Sequence, residues 1–141
     1  MTLQRIAPRV LPVLLLLSLA SCSHLWAGED ERMLQLGSAL TKLSKAVEYT
    51  VRYTNPPEGL SDQELLTRAT QEDPTLLEPF RNFTVRVLRQ DRHAIVLVCT
   101  LDRQRALLED AGCTAKLDKH SWEENQRCEF TLSVSTVCPA P

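Results

Sequence analysis

The chain has 141 residues, of which 43% are hydrophobic, 24% charged and 5% aromatic, with a formal net charge of −2. That much apolar side chain supports one core, which excludes a disordered, collagen-like or low-complexity chain. The slightly acidic balance speaks against a nucleic-acid binder, which needs a basic surface to neutralise phosphates.

The N-terminus carries Arg5 and Arg9 without an acid, followed by an apolar run over residues 10–20 centred on Leu14, Leu15, Leu16 and Leu17. As a helix this run reaches about 16 Å, roughly half of a hydrocarbon core, which is the size of a signal-peptide core rather than a membrane span. Later stretches are less apolar, so no transmembrane helix is expected and the mature part reads as soluble.

Directly after this run stands Leu19-Ala20-Ser21-Cys22. The tetrad resembles the lipobox of bacterial lipoproteins. The resemblance implies that the Cys22 sulfur receives a diacylglycerol, that the chain is cut between Ser21 and Cys22, and that the new amine is acylated. Two or three acyl chains, at about 0.8 kcal/mol per buried CH₂, make a permanent anchor where one chain would not. Ser23, rather than Asp, follows the cysteine, which by the same resemblance points to the outer membrane, facing the periplasm. The expected organisation is a signal peptide at 1–21, a lipid-anchored tether at 22–28 and one domain at 29–141. The alternative is an ordinary secretory peptide cut after Ala27; tetrad, spacing and basic flank together favour the lipobox.

Across residues 29–53, Met33, Leu36, Leu40, Leu43, Val47 and Thr50 or Val51 recur at alternating spacings of three and four, predicting a long amphipathic helix. Glu29, Asp30 and Glu31 suit its start, and Asn55-Pro56-Pro57 ends it. Packing on the protein's own sheet accounts for the stripe better than a coiled coil, which needs more heptads. Ser61 with Glu64 forms a capping box for a short helix to about Thr70, and Asp73-Pro74-Thr75 opens another helical turn that stops near Pro79.

From Phe83 the period changes to two. A strand through Phe83, Val85 and Val87 leads through a turn, Gln90-Asp91-Arg92-His93, into the apolar run 94–99, expected as a central strand buried on both faces. A third strand is expected over 105–110, after which Gly112 turns the chain out of the sheet. A fourth is expected over 128–135, with Cys128, Phe130, Leu132 and Val134 inward. The expected fold class is therefore α+β: a long N-terminal amphipathic helix and short helices packed on a four-stranded antiparallel meander.

With Cys22 assigned to lipid, Cys99, Cys113, Cys128 and Cys138 form an even set, which outside the cytosol implies two disulfides with three possible pairings. Cys113–Cys128 with Cys99–Cys138 is favoured, the first closing a polar loop and the second tying the central strand to the tail. The spacings match no common zinc motif, so no metal or other cofactor is expected.

Candidate chemistry is sparse. His93 reads as a solvated turn residue, and His120 stands near Asp118 in a charged loop without an evident third ligand. Glu109 and Asp110 are adjacent on a strand, so their carboxylates diverge, and a solvated strand end is expected. Trp122 is expected to cap the core in an otherwise polar loop. Arg86, Arg89 and Arg92 crowd the first strand and its turn, as edge protection or as a contact for a partner protein or anionic headgroups. The sequence thus suggests a non-enzymatic, lipid-anchored envelope module that acts by contact, as an interaction or assembly accessory. The alternatives are a small-ligand-binding envelope lipoprotein, with a cavity under Leu40, Leu43 and Val47, and a secreted hydrolase built on His93 or His120.

Overall fold

The computed structural model describes residues 23–115 and 121–138. The expected signal peptide, Cys22, Asp118 and His120 lie outside the described residues. The chain divides into two compact units, Met1–Gln35 and Leu36–Pro141, and helix α1 (Ser23–Tyr49) contributes to both. Among the described residues the helix already runs from Ser23, where the sequence suggested a tether up to residue 28; residues 23–27 hold no proline or glycine to prevent it. Within the first unit, Gln35 Nε2 donates to Glu31 Oε1 at 3.2 Å, one helical turn away. No helix among the described residues is long and apolar enough to cross a membrane.

The second unit is an α+β arrangement with three antiparallel strands among the described residues and two disulfides. From Leu36 onward the predicted stripe of α1 is buried: Leu36, Leu40, Leu43 and Val47. The helix then widens into a π-helical turn, Thr50–Thr54, in which the Thr50 and Thr54 hydroxyls donate to the carbonyls of Ala46 and Thr50. Asn55 ends it in the left-handed region, a conformation asparagine tolerates, and Pro56 prevents resumption. Helix α2 (Asp62–Ala69) carries the predicted capping box: the Glu64 amide donates to Ser61 Oγ at 3.3 Å, and the Ser61 amide to Glu64 Oε2 at 2.8 Å. A 3₁₀ helix, Pro74–Phe80, follows, with the Asp73 side chain capping the Thr75 amide.

Strands β1 (Phe83–Gln90), β2 (His93–Thr100) and β3 (Ala106–Ala111) form a meander with β2 in the centre. Residues 94–99 of β2 are all buried, as the apolar run predicted. Asp91, with a φ of 55°, makes the first turn tight, so His93 belongs to the strand and not to the turn. In the second turn Asp102 accepts from the Thr100 hydroxyl and the Gln104 amide, which hold its carboxyl below the usual aspartate value. Gly112 matters for a reason other than turning: a Cβ there would lie 2.3 Å from the Ser44 carbonyl oxygen and 2.5 Å from Glu48 Cβ. The end of β3 and α1 approach so closely that only glycine fits.

The register places Arg86, Leu88, Ile95, Leu97, Cys99 and Glu109 on one face of the sheet. Residues 128–138 cover that face, with Phe130, Leu132 and Val134 packed against Ile95, Leu97 and Ala111. The opposite face, including Ala94, Val96, Val98 and Leu108, is equally buried and lies on the helical side. The fourth strand is not present. Residues 128–135 keep their period-two burial, but the backbone groups of Cys128, Thr131 and Leu132 pair with side chains instead of a strand. The Glu109 carboxylate accepts from the Thr131 amide at 3.0 Å, the Leu132 amide at 2.9 Å and the Thr131 hydroxyl at 2.6 Å. Arg86 Nη1 donates to the Cys128 carbonyl at 2.8 Å. A short helix, α3 (Val134–Val137), then replaces the end of the expected strand.

The disulfide pairing also differs from the one favoured on sequence. The bonds are Cys99–Cys128 and Cys113–Cys138, with separations of 29 and 25 residues. Cys99 and Cys128 meet because residue 128 enters the covered face beside the end of β2, and Cys138 reaches the exit of β3 after α3. Each bond therefore fastens the covering segment to the sheet at one end.

Candidate functional site

The arginines singled out in the sequence are each fastened to backbone. Arg86 bonds to Cys128 and stacks its guanidinium 5.3 Å from the Phe130 ring centre, so it latches the covering segment onto β1. Arg89 projects from the other face and donates to the carbonyls of Pro57 at 2.8 Å and Pro56 at 2.9 Å. Arg92 donates to the Arg52 carbonyl at 2.7 Å. Arg89 and Arg92 therefore gather around the end of the π-turn, and among the described residues neither is ion-paired.

Beside them lies a feature that the sequence reading missed. Tyr49 and Tyr53 are 62% and 63% exposed, with ring centres 5.1 Å apart. Arg52 places its guanidinium 5.7 Å from the Tyr53 ring centre. The spacing of four residues was readable as a helical pair, but its position on the open face depends on the stripe turning Val47, Thr50 and Val51 inward. Solvent-exposed aromatic pairs with arginine have the composition of protein-contact hot spots.

His93 is not a solvated residue. Its Nδ1 lies 2.7 Å from Glu48 Oε1, and the other Glu48 oxygen accepts from the Ala94 amide at 2.8 Å. Glu48 is 6% exposed, so α1 delivers a buried carboxylate to the start of β2. Glu48 thus engages Nδ1, and Nε2 is the ring nitrogen it does not engage. A ring nitrogen of His93 and the sulfurs of Cys113 and Cys138 all lie within 4.8 Å of one another. Those sulfurs are bonded together, so His93 has no free thiol there to activate as a nucleophile.

Glu109 and Asp110 do diverge to opposite faces, but neither is solvated: they are 1% and 4% exposed. Glu109 is a structural acceptor for residues 131 and 132. Trp122 is half-buried in the loop that follows Ser121, whose amide donates to the Leu107 carbonyl. An open groove of about 640 Å³ lies between α2, the 3₁₀ helix and β1, with Leu66, Phe80, Arg81, Arg86 and Arg103 on its walls. Leu40, Leu43 and Val47 are packed in the core and do not line it. Comparison of the chain with family models, curated proteins and solved structures finds no match.

Proposed function

We propose that this chain is a lipid-anchored lipoprotein of the bacterial cell envelope, held by Cys22 in the outer membrane and facing the periplasm. It acts as a non-catalytic interaction module that binds an envelope protein. The observation that carries the contact reading is the Tyr49, Arg52 and Tyr53 cluster, two large aromatic rings held open to solvent beside a guanidinium. Tyrosine and arginine give large contact area with little conformational freedom to lose, and π-helical turns are frequent where helices carry function. Arg52 stands over the Tyr53 ring, and Arg89 and Arg92, bonded to the Pro56, Pro57 and Arg52 carbonyls, bring further positive charge to the same helix end, which fits a partner surface that presents carboxylates. In this reading Arg86 serves the fold rather than the partner.

The test is a photo-crosslinking residue at position 53 of the full chain in intact envelopes. One discrete adduct, lost on Arg52→Glu and absent when the probe stands at Thr75 on the 3₁₀ helix, supports the reading. Adducts that do not depend on position or on Arg52 count against it. The groove favours a second reading, a small-ligand site, because it is open and lined by Leu66, Leu77 and Phe80 beside Arg103, whereas Arg81 is paired with Glu78 and Arg86 with the Cys128 carbonyl. Ligand-dependent amide shifts confined to Leu66, Phe80 and Val85 would distinguish that reading from the first.

A further inference from the structure

We infer that reduction of Cys113–Cys138 creates a zinc site from His93, Cys113 and Cys138. The three ligand atoms already lie within 4.8 Å of one another, although they come from the start of β2, the exit of β3 and the end of α3. Two thiolates and an imidazole are a soft donor set that suits zinc and leaves a fourth position for water or another ligand. Oxygen-seeking cations such as magnesium and calcium find no oxygen donor in this set.

The surroundings support the same assignment. Zinc-bound imidazoles characteristically donate their second ring N–H to a carboxylate; Glu48 Oε1 stands 2.7 Å from His93 Nδ1, so the site requires zinc to bind through Nε2. Glu48 is itself fixed by the Ala94 amide, so the ring is oriented before any metal arrives. Cys138 caps the four-residue helix α3, its amide donating to the Val134 carbonyl, and so follows β3 and α3 into the cluster. His93 and Cys113 are half-buried, which leaves the cluster reachable from solvent.

In the disulfide form the two sulfurs are bonded to each other and neither is a thiolate, so the site is closed to zinc. A dithiol reductant opens it by exchange: the protein S–S bond breaks, the reductant closes its own disulfide, and Cys113 and Cys138 become thiols. Zinc then displaces both thiol protons to solvent as two Zn–S bonds and one Zn–N bond form. The second disulfide, Cys99–Cys128, has no part in the site.

The test uses the detergent-solubilised full chain, oxidised or reduced with a phosphine, titrated with zinc and with cobalt as a spectroscopic substitute. The reduced chain should bind one zinc and show thiolate-to-cobalt charge transfer, whereas the oxidised chain should do neither. Glu48→Gln should weaken zinc binding roughly 10- to 100-fold. His93→Ala or Cys113→Ser should weaken it further, and paired Cys99→Ser and Cys128→Ser substitutions should leave it in place. A reduced chain that takes up no zinc overturns the inference, as does binding unchanged by His93→Ala. If the reduced chain loses its far-ultraviolet helical signal, zinc must restore it; failure to do so is equally decisive against the site.

Discussion

Glu109 offers the sharpest test of how the face of the sheet is covered. It is 1% exposed, and three donors converge on its carboxylate: the Thr131 amide, the Leu132 amide and the Thr131 hydroxyl. Glu109→Gln keeps the shape but turns one acceptor oxygen into an amino group that faces donors. A hydrogen bond to a charged acceptor contributes about 1.5–3 kcal/mol net, and leaving a buried donor unmatched adds to the loss. Thr131 is exposed, so part of its loss is recovered through water, and burial of the original carboxylate already carried a penalty. The expected destabilisation is about 2–3 kcal/mol, or a fall in Tm of about 8–12 °C for a domain near 100 residues. Denaturant unfolding with both disulfides intact measures the first, and hydrogen exchange should show the Thr131 and Leu132 amides losing protection before the strands do. Thr131→Val removes only the hydroxyl contact and should cost about 1 kcal/mol. A Glu109→Gln loss below about 0.5 kcal/mol, with both amides still protected, would refute the view that this side chain replaces a strand.

Other consequences follow from the same packing. Gly112→Ala drives a Cβ into the Ser44 carbonyl and Glu48, so urea unfolding should show a loss of at least about 1–3 kcal/mol; an unchanged midpoint would contradict the close approach. Peptide mapping of the oxidised protein should recover Cys99 linked to Cys128 and Cys113 linked to Cys138. Replacing Cys99 and Cys128 by serine should cost about 3.6 kcal/mol by the chain-entropy relation, and a loss under 1 kcal/mol would show that the bond fastens nothing. The Glu64 carboxyl is held below its ordinary value first by the Ser61 side chain and then by the Ser61 amide. Its contribution to stability is therefore fully present above the ordinary glutamate range and is lost as pH falls through the lowered value. Acid titration followed by the helical signal should lose part of its slope in Ser61→Ala, and identical slopes would argue against the capping box.

Local rules read much of this fold correctly from the sequence. The three-four stripe, the Ser61 and Glu64 cap, the proline stop after Asn55 and the buried central strand each depend on neighbours within a few residues. What failed depended on distant partners. Alternation over 128–135 reported correctly which side chains face inward, but period two does not specify what satisfies the backbone; here Glu109 and Arg86 do so from 22 and 42 positions away. The disulfide pairing was undetermined for the same reason, because three pairings share one sequence. His93 and the Glu109–Asp110 pair were expected in solvent, yet His93 meets the buried Glu48 and Glu109 is enclosed by the segment it holds. The Tyr49 and Tyr53 pair was visible as a spacing of four, but not as a surface until the inward side of α1 was fixed.

The anchor is the foundation of the functional account, and the intact mass of the protein extracted from native membranes tests it most directly. A chain that begins at Cys22 and carries a diacylglyceryl group, with a further acyl chain on its amine, is the predicted result. A chain that begins elsewhere, or that bears an unmodified Cys22, would contradict the account.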